Sequence, residues 1–378
     1  MVPAMNTALN RRDFLTGAAL MASSGLAQTS GEPVRTAMIG TGNRGSYLLK
    51  AVLDIPGAKV VAVCDLKPDR LDKAASAAVR DQPVAVRDYR QVLARKDVDA
   101  VFIATPCDLH AEMTIAALKA GKHVYCEKPA AIDGRSVKEL IAVARHAKTV
   151  LQFGQQMRSE SRLGATIAKI HEGVAGKIIM VKAQRHAGDD LDHNGPSADW
   201  FFNAKRSGDV IVEMAVHNLD ACNWIIGSRP ERAGGFGGAL LWKDDPPGRT
   251  NMDGYTLSYD YANGVKMSFT QVFFHPYGMP GNGQYFYVFG TEGGVDVSNS
   301  TFYPRARGAK PQVLVPPEPR GERKPDPHLM AFYEAIRTGK KSPAGLEIGA
   351  TAALTAILGR EAIYQKRVME WREFGVDI

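Results

Sequence analysis

The sequence holds no apolar run that approaches the length of a membrane span. Cysteine is scarce: Cys64, Cys107, Cys126 and Cys222 are the four in 378 residues. Their spacing matches neither a disulfide framework nor a metal-ligand set, so they read as small packing residues. His193, His275 and His328 also lack paired metal spacing, and no metal is assigned. Net charge is +7, yet Lys and Arg are scattered, with no dense basic run and no aromatic–basic alternation. Nucleic acid is therefore not an expected partner, and a basic surface suits an anionic substrate or an exported compartment. There is no internal repeat. With 45% hydrophobic and 23% charged residues, the composition is that of a globular chain long enough for two domains.

Near the start, Asn10-Arg11-Arg12-Asp13-Phe14-Leu15-Thr16 resembles a twin-arginine export signal. A weakly apolar stretch to Leu26 follows, and Gly25-Leu26-Ala27 offers a small-x-small cleavage site. Residues 1–32 are read as signal and leader, with export, and a periplasmic destination, as the expectation.

The densest signal lies between Val34 and Lys50. An apolar run to Ile39 reads as a buried strand, Gly40, Gly42 and Gly45 form G-x-G-x-x-G, and amphipathic helical sequence follows. The first glycine permits a tight turn, the second lets backbone approach a pyrophosphate, and the third lets helix and strand pack closely. The helix N-terminus then faces the phosphates with free N–H groups. A second strand, Val60 to Cys64, ends in Asp65, twenty residues after Gly45. A carboxylate there suits the ribose hydroxyls of NAD and repels a 2′-phosphate. Strands and helices alternate with short connections to about residue 155, so residues 33–155 read as a doubly wound parallel sheet of the Rossmann kind.

Beyond that point the pattern changes. Longer strands are expected over 178–184, 255–261, 265–273, 284–289 and 294–297, with turns at Ala262-Asn263-Gly264 and Thr291-Glu292-Gly293-Gly294. Two helices, 327–337 and 346–364, close the chain, while 241–250 and 305–325 read as loops. Residues 156–378 are thus an α+β domain with an open, mainly antiparallel sheet, a shape that often forms a subunit interface.

Two places can carry chemistry. Lys128, in Glu127-Lys128-Pro129, follows a strand at the edge where such sheets bind ligands, and can stabilise an alkoxide there. The second is one buried helix running from Asp209, its expected N-cap, to Trp224. Glu213, His217, Asp220 and Trp224 fall on one stripe of it. His217 can exchange a hydroxyl proton, with Asp220 or Glu213 orienting its ring.

Taken in order, Gly40-Thr41-Gly42-Asn43-Arg44-Gly45, Asp65, Thr105-Pro106-Cys107-Asp108-Leu109-His110, Glu127-Lys128-Pro129 and Glu213-x-x-x-His217-x-x-Asp220 resemble the glucose–fructose oxidoreductase / inositol dehydrogenase (Gfo/Idh/MocA) family. The resemblance implies nicotinamide-dependent chemistry on a sugar, polyol or glycoside, with dimers or tetramers built on the open sheet. It makes Lys128 and His217 the catalytic pair. Arg44 and Thr105-Pro106 would line the pyrophosphate and nicotinamide regions, and Asn43, Arg70, His110 and Glu127 are counted with them as NAD-binding. Many members carry Asp where this chain has Glu213. Gln156, Arg158, His186 and Trp200, the last in a loop, are further candidates for substrate contact. The family also contains NAD-dependent glycosidases that oxidise, eliminate and reduce, and a non-enzymatic dinucleotide sensor is the third reading. Residues Gln28 to Pro33 could form an arm onto a neighbouring subunit.

Overall fold

A computed structural model describes residues 31–186, 197–279, 283–317 and 325–378. The export-signal residues, the first half of the 28–33 arm and His193 lie outside the described residues.

The first layer follows the alternating pattern: β1 (Val34–Ile39), α1 (Asn43–Leu53), β2 (Ala58–Cys64), α2 (Pro68–Ala77), β3 (Val84–Val86), α3 (Tyr89–Ala94), β4 (Ala100–Ile103), α4 (His110–Lys119), β5 (His123–Cys126), α5 (Gly134–Ala144) and β6 (Leu151–Phe153). All six strands are parallel, in the order β3-β2-β1-β4-β5-β6. The order reverses beside β1, so the carboxyl ends of β1 and β4 open a crevice at the glycine loop. The central strands are buried on both faces, as continuous apolar runs such as Ala100–Ile103 require.

The second layer runs α6 (Ser161–His171), β7 (Ile178–His186), α7 (Ala198–Phe201), α8 (Ala204–Ser207), α9 (Asp209–Glu213), α10 (Val216–Ile226), β8 (Pro230–Gly238), β9 (Gly254–Tyr261), β10 (Lys266–Val272), β11 (Gln284–Gly290), β12 (Gly293–Asp296), β13 (Thr301–Pro304), β14 (Gln312–Val313), α11 (Pro327–Thr338), α12 (Leu346–Tyr364) and β15 (Met369–Glu370). Its nine-stranded sheet has the order β14-β13-β12-β11-β7-β10-β9-β8-β15, with β7 and β10 the one parallel neighbour pair. Helices α10 and α12 cover one face, where Val181, Ala183, Leu257, Phe269, Phe286 and Val288 are buried. The other face carries Met180, Phe236, Phe289 and Tyr303, all exposed.

The structure departs from the sequence reading at several points, the smallest being β14, which lies inside the expected 305–325 loop. The boundary near 155 separates the two sheets, but α11 returns to the first layer: Leu329, Phe332 and Tyr333 pack with Met38, Phe102 and Tyr125. Strand β8 appears where no strand was expected. Two of its glycines answer to crowding, since a Cβ on Gly235 would sit 2.3 Å from the Thr256 carbonyl oxygen and one on Gly237 2.7 Å from the Tyr255 Cβ. The expected single helix from Asp209 to Trp224 is broken after Glu213 into α9 and α10. Asp209 is not an N-cap but the first residue of α9, with φ +70°. Its buried carboxylate accepts from the N–H groups of Val210 (2.6 Å) and Met252 (3.0 Å) and from the Tyr364 hydroxyl.

Candidate functional site

The glycine loop is shaped by what it excludes. A Cβ on Gly45 would lie 1.9 Å from the Gly40 carbonyl oxygen, and one on Gly40 would lie 2.6 Å from that of Ala104. Gly40 adopts φ +84°, which glycine tolerates. Gly42 caps α1 without a side-chain acceptor, so the first-turn N–H groups of Asn43, Arg44 and Gly45 stay available to an anion. The Asp65 carboxylate, half-buried at the end of β2, accepts from Thr41 N (2.8 Å) and Lys67 N (2.9 Å). It therefore braces the glycine loop while keeping lone pairs for a diol. Arg70 leans over the loop, its Nη1 3.1 Å from where a Gly42 Cβ would be. Close-approach glycines, an uncapped helix start and a carboxylate at the next strand end fit a dinucleotide such as NAD.

Two expected cofactor residues have other duties. His110 is 1% exposed, with Nδ1 2.8 Å from the Pro129 oxygen and Nε2 2.9 Å from the Thr105 oxygen. It ties the Thr105-Pro106 turn to the Lys128-Pro129 corner and is too deep to touch a ligand. Burial lowers its pKa, so a neutral ring donates to only one of the two carbonyls at a time. Glu127 is likewise buried and accepts from Arg44 Nε at 2.6 Å. Arg44 also donates to Gln156 Oε1 at 2.9 Å, so Gln156 shares the Arg44 network at the rim.

At the carboxyl end of β5, Lys128 reaches across to α9. Its Nζ donates to the Glu213 backbone oxygen at 2.5 Å and to Glu213 Oε1 at 2.7 Å. The two side chains are 16% and 15% exposed. The expected orienting of His217 by Glu213 or Asp220 is not what the structure shows. With the helix broken after Glu213, that carboxylate serves Lys128. Asp220 is held in a two-pronged pair by Arg158, at 2.9 Å to Nε and 2.7 Å to Nη2. The same guanidinium lies 4.9 Å from the Trp224 ring centroid. Arg158 and Asp220 therefore lock α10 onto the 156–159 turn, and neither is free for substrate. His217 Nδ1 is buried with no partner among the described residues, which leaves Nε2 as the nitrogen that can meet a substrate. Burial, and then the Lys128 charge, push the His217 pKa well below the usual histidine range.

The remaining candidates have other partners. His186 Nε2 is 3.0 Å from Thr270 Oγ1, and its ring faces His275. Trp200 sits in the short helix α7 rather than a loop, edge-on to Phe201. Among the described residues no cluster of His, Cys, Asp and Glu could hold a metal. All four cysteines are buried and free. The sequence reading missed Arg185, whose charge is among those that depress His217. The signal for it was present: it continues the alternation of Val181 and Ala183 toward the helices.

Two family models match the chain. One, described as the oxidoreductase family with an NAD-binding Rossmann fold, covers residues 34–155, and the GFO/IDH/MocA C-terminal domain covers 166–296. An inositol 2-dehydrogenase of Rhizobium meliloti (strain 1021) is 32% identical over 197 residues, 52% of this chain and 56% of the relative. A glycosyl hydrolase family 109 protein of Stenotrophomonas maltophilia (strain K279a) is 32% identical over 190 residues, 47% of this chain and 42% of the relative. The matches thus span about half the length of these curated relatives. The solved structure of levoglucosan dehydrogenase with NADH and levoglucosan superposes with a TM-score of 0.76 at 20% identity, covering 90% of this chain and 99% of that one. At that identity it establishes the shared fold.

Proposed function

The chain belongs to the Gfo/Idh/MocA oxidoreductase family, and we propose that it is an NAD-dependent enzyme moving hydride between nicotinamide and a CH–OH carbon of a sugar, polyol or glycoside. The observation that carries this reading is the hold of Lys128, at the end of β5, on Glu213 of α9, from where its charge acts on His217 at the start of α10. NAD, when bound, supplies the hydride acceptor. His217 is held neutral by its burial and by the Lys128 charge, so its exposed nitrogen can take the proton of a substrate hydroxyl. The Lys128 ammonium, fixed by Glu213, would steady the alkoxide that forms. Glu213 is thus a positioning residue for Lys128.

The same pair serves a second reading, favoured by the similarity to the glycosyl hydrolase family 109 protein. Transient oxidation of a glycoside would allow elimination of its substituent, with the hydride then returned. This suits an exported protein. Arg11-Arg12 is the basis for twin-arginine export to the periplasm, where free NAD is scarce and a retained, self-restoring cofactor is an advantage. The exposed Met180, Phe236, Phe289 and Tyr303 on the uncovered sheet face support a homodimer or homotetramer built there.

The test is to purify the protein without added nucleotide, analyse what it carries, and screen sugars and aryl glycosides for NADH and for released aglycone. Near-stoichiometric bound NAD or NADH is expected, with sugar-dependent hydride transfer. An empty protein that binds NAD but reduces it with no member of the panel, and releases no aglycone, would favour the sensor reading.

A further inference from the structure

The helix-covered face of the second sheet is built in rows across β9, β10, β7 and β11. Tyr259, Met267, Val181 and Val288 form one row, and Leu257, Phe269, Ala183 and Phe286 form the next. Both are buried and almost wholly apolar. The following row, at the end nearest Glu213, is Tyr255, Gln271, Arg185 and Gln284. The apolar layer therefore ends in a polar edge with a guanidinium at its centre.

The acceptors around that guanidinium already serve other donors. Gln271 Oε1 accepts from the Tyr255 hydroxyl at 2.6 Å, and Gln284 Oε1 accepts from Asn218 Nδ2 at 3.2 Å. Glu213 Oε1 is taken by Lys128. No described residue accepts a hydrogen bond from the Arg185 side chain, and its Nη1 is buried without a partner. Desolvation makes its charge costlier there, while Glu213 offsets part of that cost. The residue is half-buried, and a guanidinium nitrogen that is buried without a partner costs more than a neutral group of the same size. Its planar fork matches a carboxylate through two parallel N–H bonds. Its two row neighbours reach the residues that follow His217 and Glu213: Asn218 donates to Gln284 at 3.2 Å, and Gln271 Nε2 lies 4.0 Å from the Met214 sulfur, which sets this polar edge against the start of α10.

We propose that Arg185 seats a carboxylate of the substrate, so that the protein acts on an acidic sugar, a uronic or aldonic acid, in preference to its neutral counterpart. This rests on the oxidoreductase reading for the reaction and on the Arg185 row for the anion. Arg158, the other guanidinium at this end of α10, cannot serve, because Asp220 already occupies its fork. Arg44 is engaged by Glu127.

The experiment is calorimetric titration of the NADH-loaded full chain with D-glucuronate and D-galacturonate, against D-glucose and D-galactose, in wild type, R185Q and R185K. A charge-assisted bidentate contact predicts that at least one acid binds about 10- to 100-fold more tightly than its neutral partner. R185Q should reduce that ratio to near one, and R185K should keep part of it, since lysine retains the charge but not the fork. NADH titration and thermal melting of the variants report whether they fold. The proposal is overturned if neither acid outbinds its neutral partner in wild type, or if folded R185Q keeps the preference. Acids that bind through Arg185 but never reduce NAD would leave the anion seat standing and sink the oxidoreductase reading. Oxidation of neutral sugars with no acid preference would do the reverse.

Discussion

The ion pair between Lys128 and Glu213 sets a test of how the site is held. Replacing Lys128 with Met keeps the length of the side chain but removes the charge, and Glu213→Gln keeps the shape but weakens the acceptor. Lys128 Nζ makes two contacts to Glu213, at 2.5 Å and 2.7 Å, between side chains 16% and 15% exposed. Removing one partner of a fully buried pair costs about 3–5 kcal/mol, and a charge-assisted hydrogen bond contributes about 1.5–3 kcal/mol. The residual exposure, and the Arg185 charge that also acts on Glu213, put this pair toward the lower figure. The double variant should therefore be less destabilised than the sum of the singles, with a coupling of about 1.5–2 kcal/mol in urea unfolding. Turnover should fall by about a hundredfold or more in Lys128→Met, the scale of acid–base and electrostatic contributions. Additivity within about 0.5 kcal/mol would refute the pairing. Turnover within a few-fold of wild type in Lys128→Met would refute the placing of Lys128 at the reacting carbon.

Two further outcomes follow from the site. Asp65→Ser should narrow the preference for NAD over NADP in direct titration, and because Asp65 also accepts from Thr41 N it should weaken NAD itself; wild-type protein that binds NADP more tightly would contradict the role given to the end of β2. His217 has its pKa lowered by burial and by Lys128, so it is neutral above that depressed value and protonated only below it; kcat/KM should stay level as pH falls through about 6.5 and drop only at more acid pH, and an acid limb centred at or above that value would count against His217 as the base.

Most of the first layer was legible because its signals are local. A glycine that must clear a carbonyl, an acidic residue at a strand end and an apolar run of four to six residues each declare themselves within a few positions. The second layer was harder where packing overrode local preference. Strand β8 contains Gly234, Gly235, Gly237 and Gly238, a composition that argues for a turn. It is a strand because it pairs with β9 along its whole length, and β9 presses close enough at Gly235 and Gly237 that side chains there would collide with it. Helix α11 reads correctly as a helix, yet nothing in its own pattern says that Phe332 will stack edge-on against Phe102, some 230 positions away (332 − 102).

The candidate site divides along the same line. Lys128 and His217 are candidates that their motifs single out, but the partners of each carboxylate were not legible, because pairing is decided by contacts distant in sequence. A continuous helix from Asp209 would have placed Glu213 and Asp220 either side of His217. The break after Glu213 redirects the first carboxylate to Lys128, 85 positions away, and the second meets Arg158, 62 positions away. Both departures leave His217 without a carboxylate on Nδ1, so its basicity is governed by burial and by surrounding positive charge rather than by a dyad. In the proposed reaction a histidine in that setting is a weak base that burial keeps unprotonated near neutral pH, and the Lys128 charge would lower the cost of the alkoxide. The two residues should then act as a unit, and His217→Gln combined with Lys128→Met should cost little more turnover than either change alone.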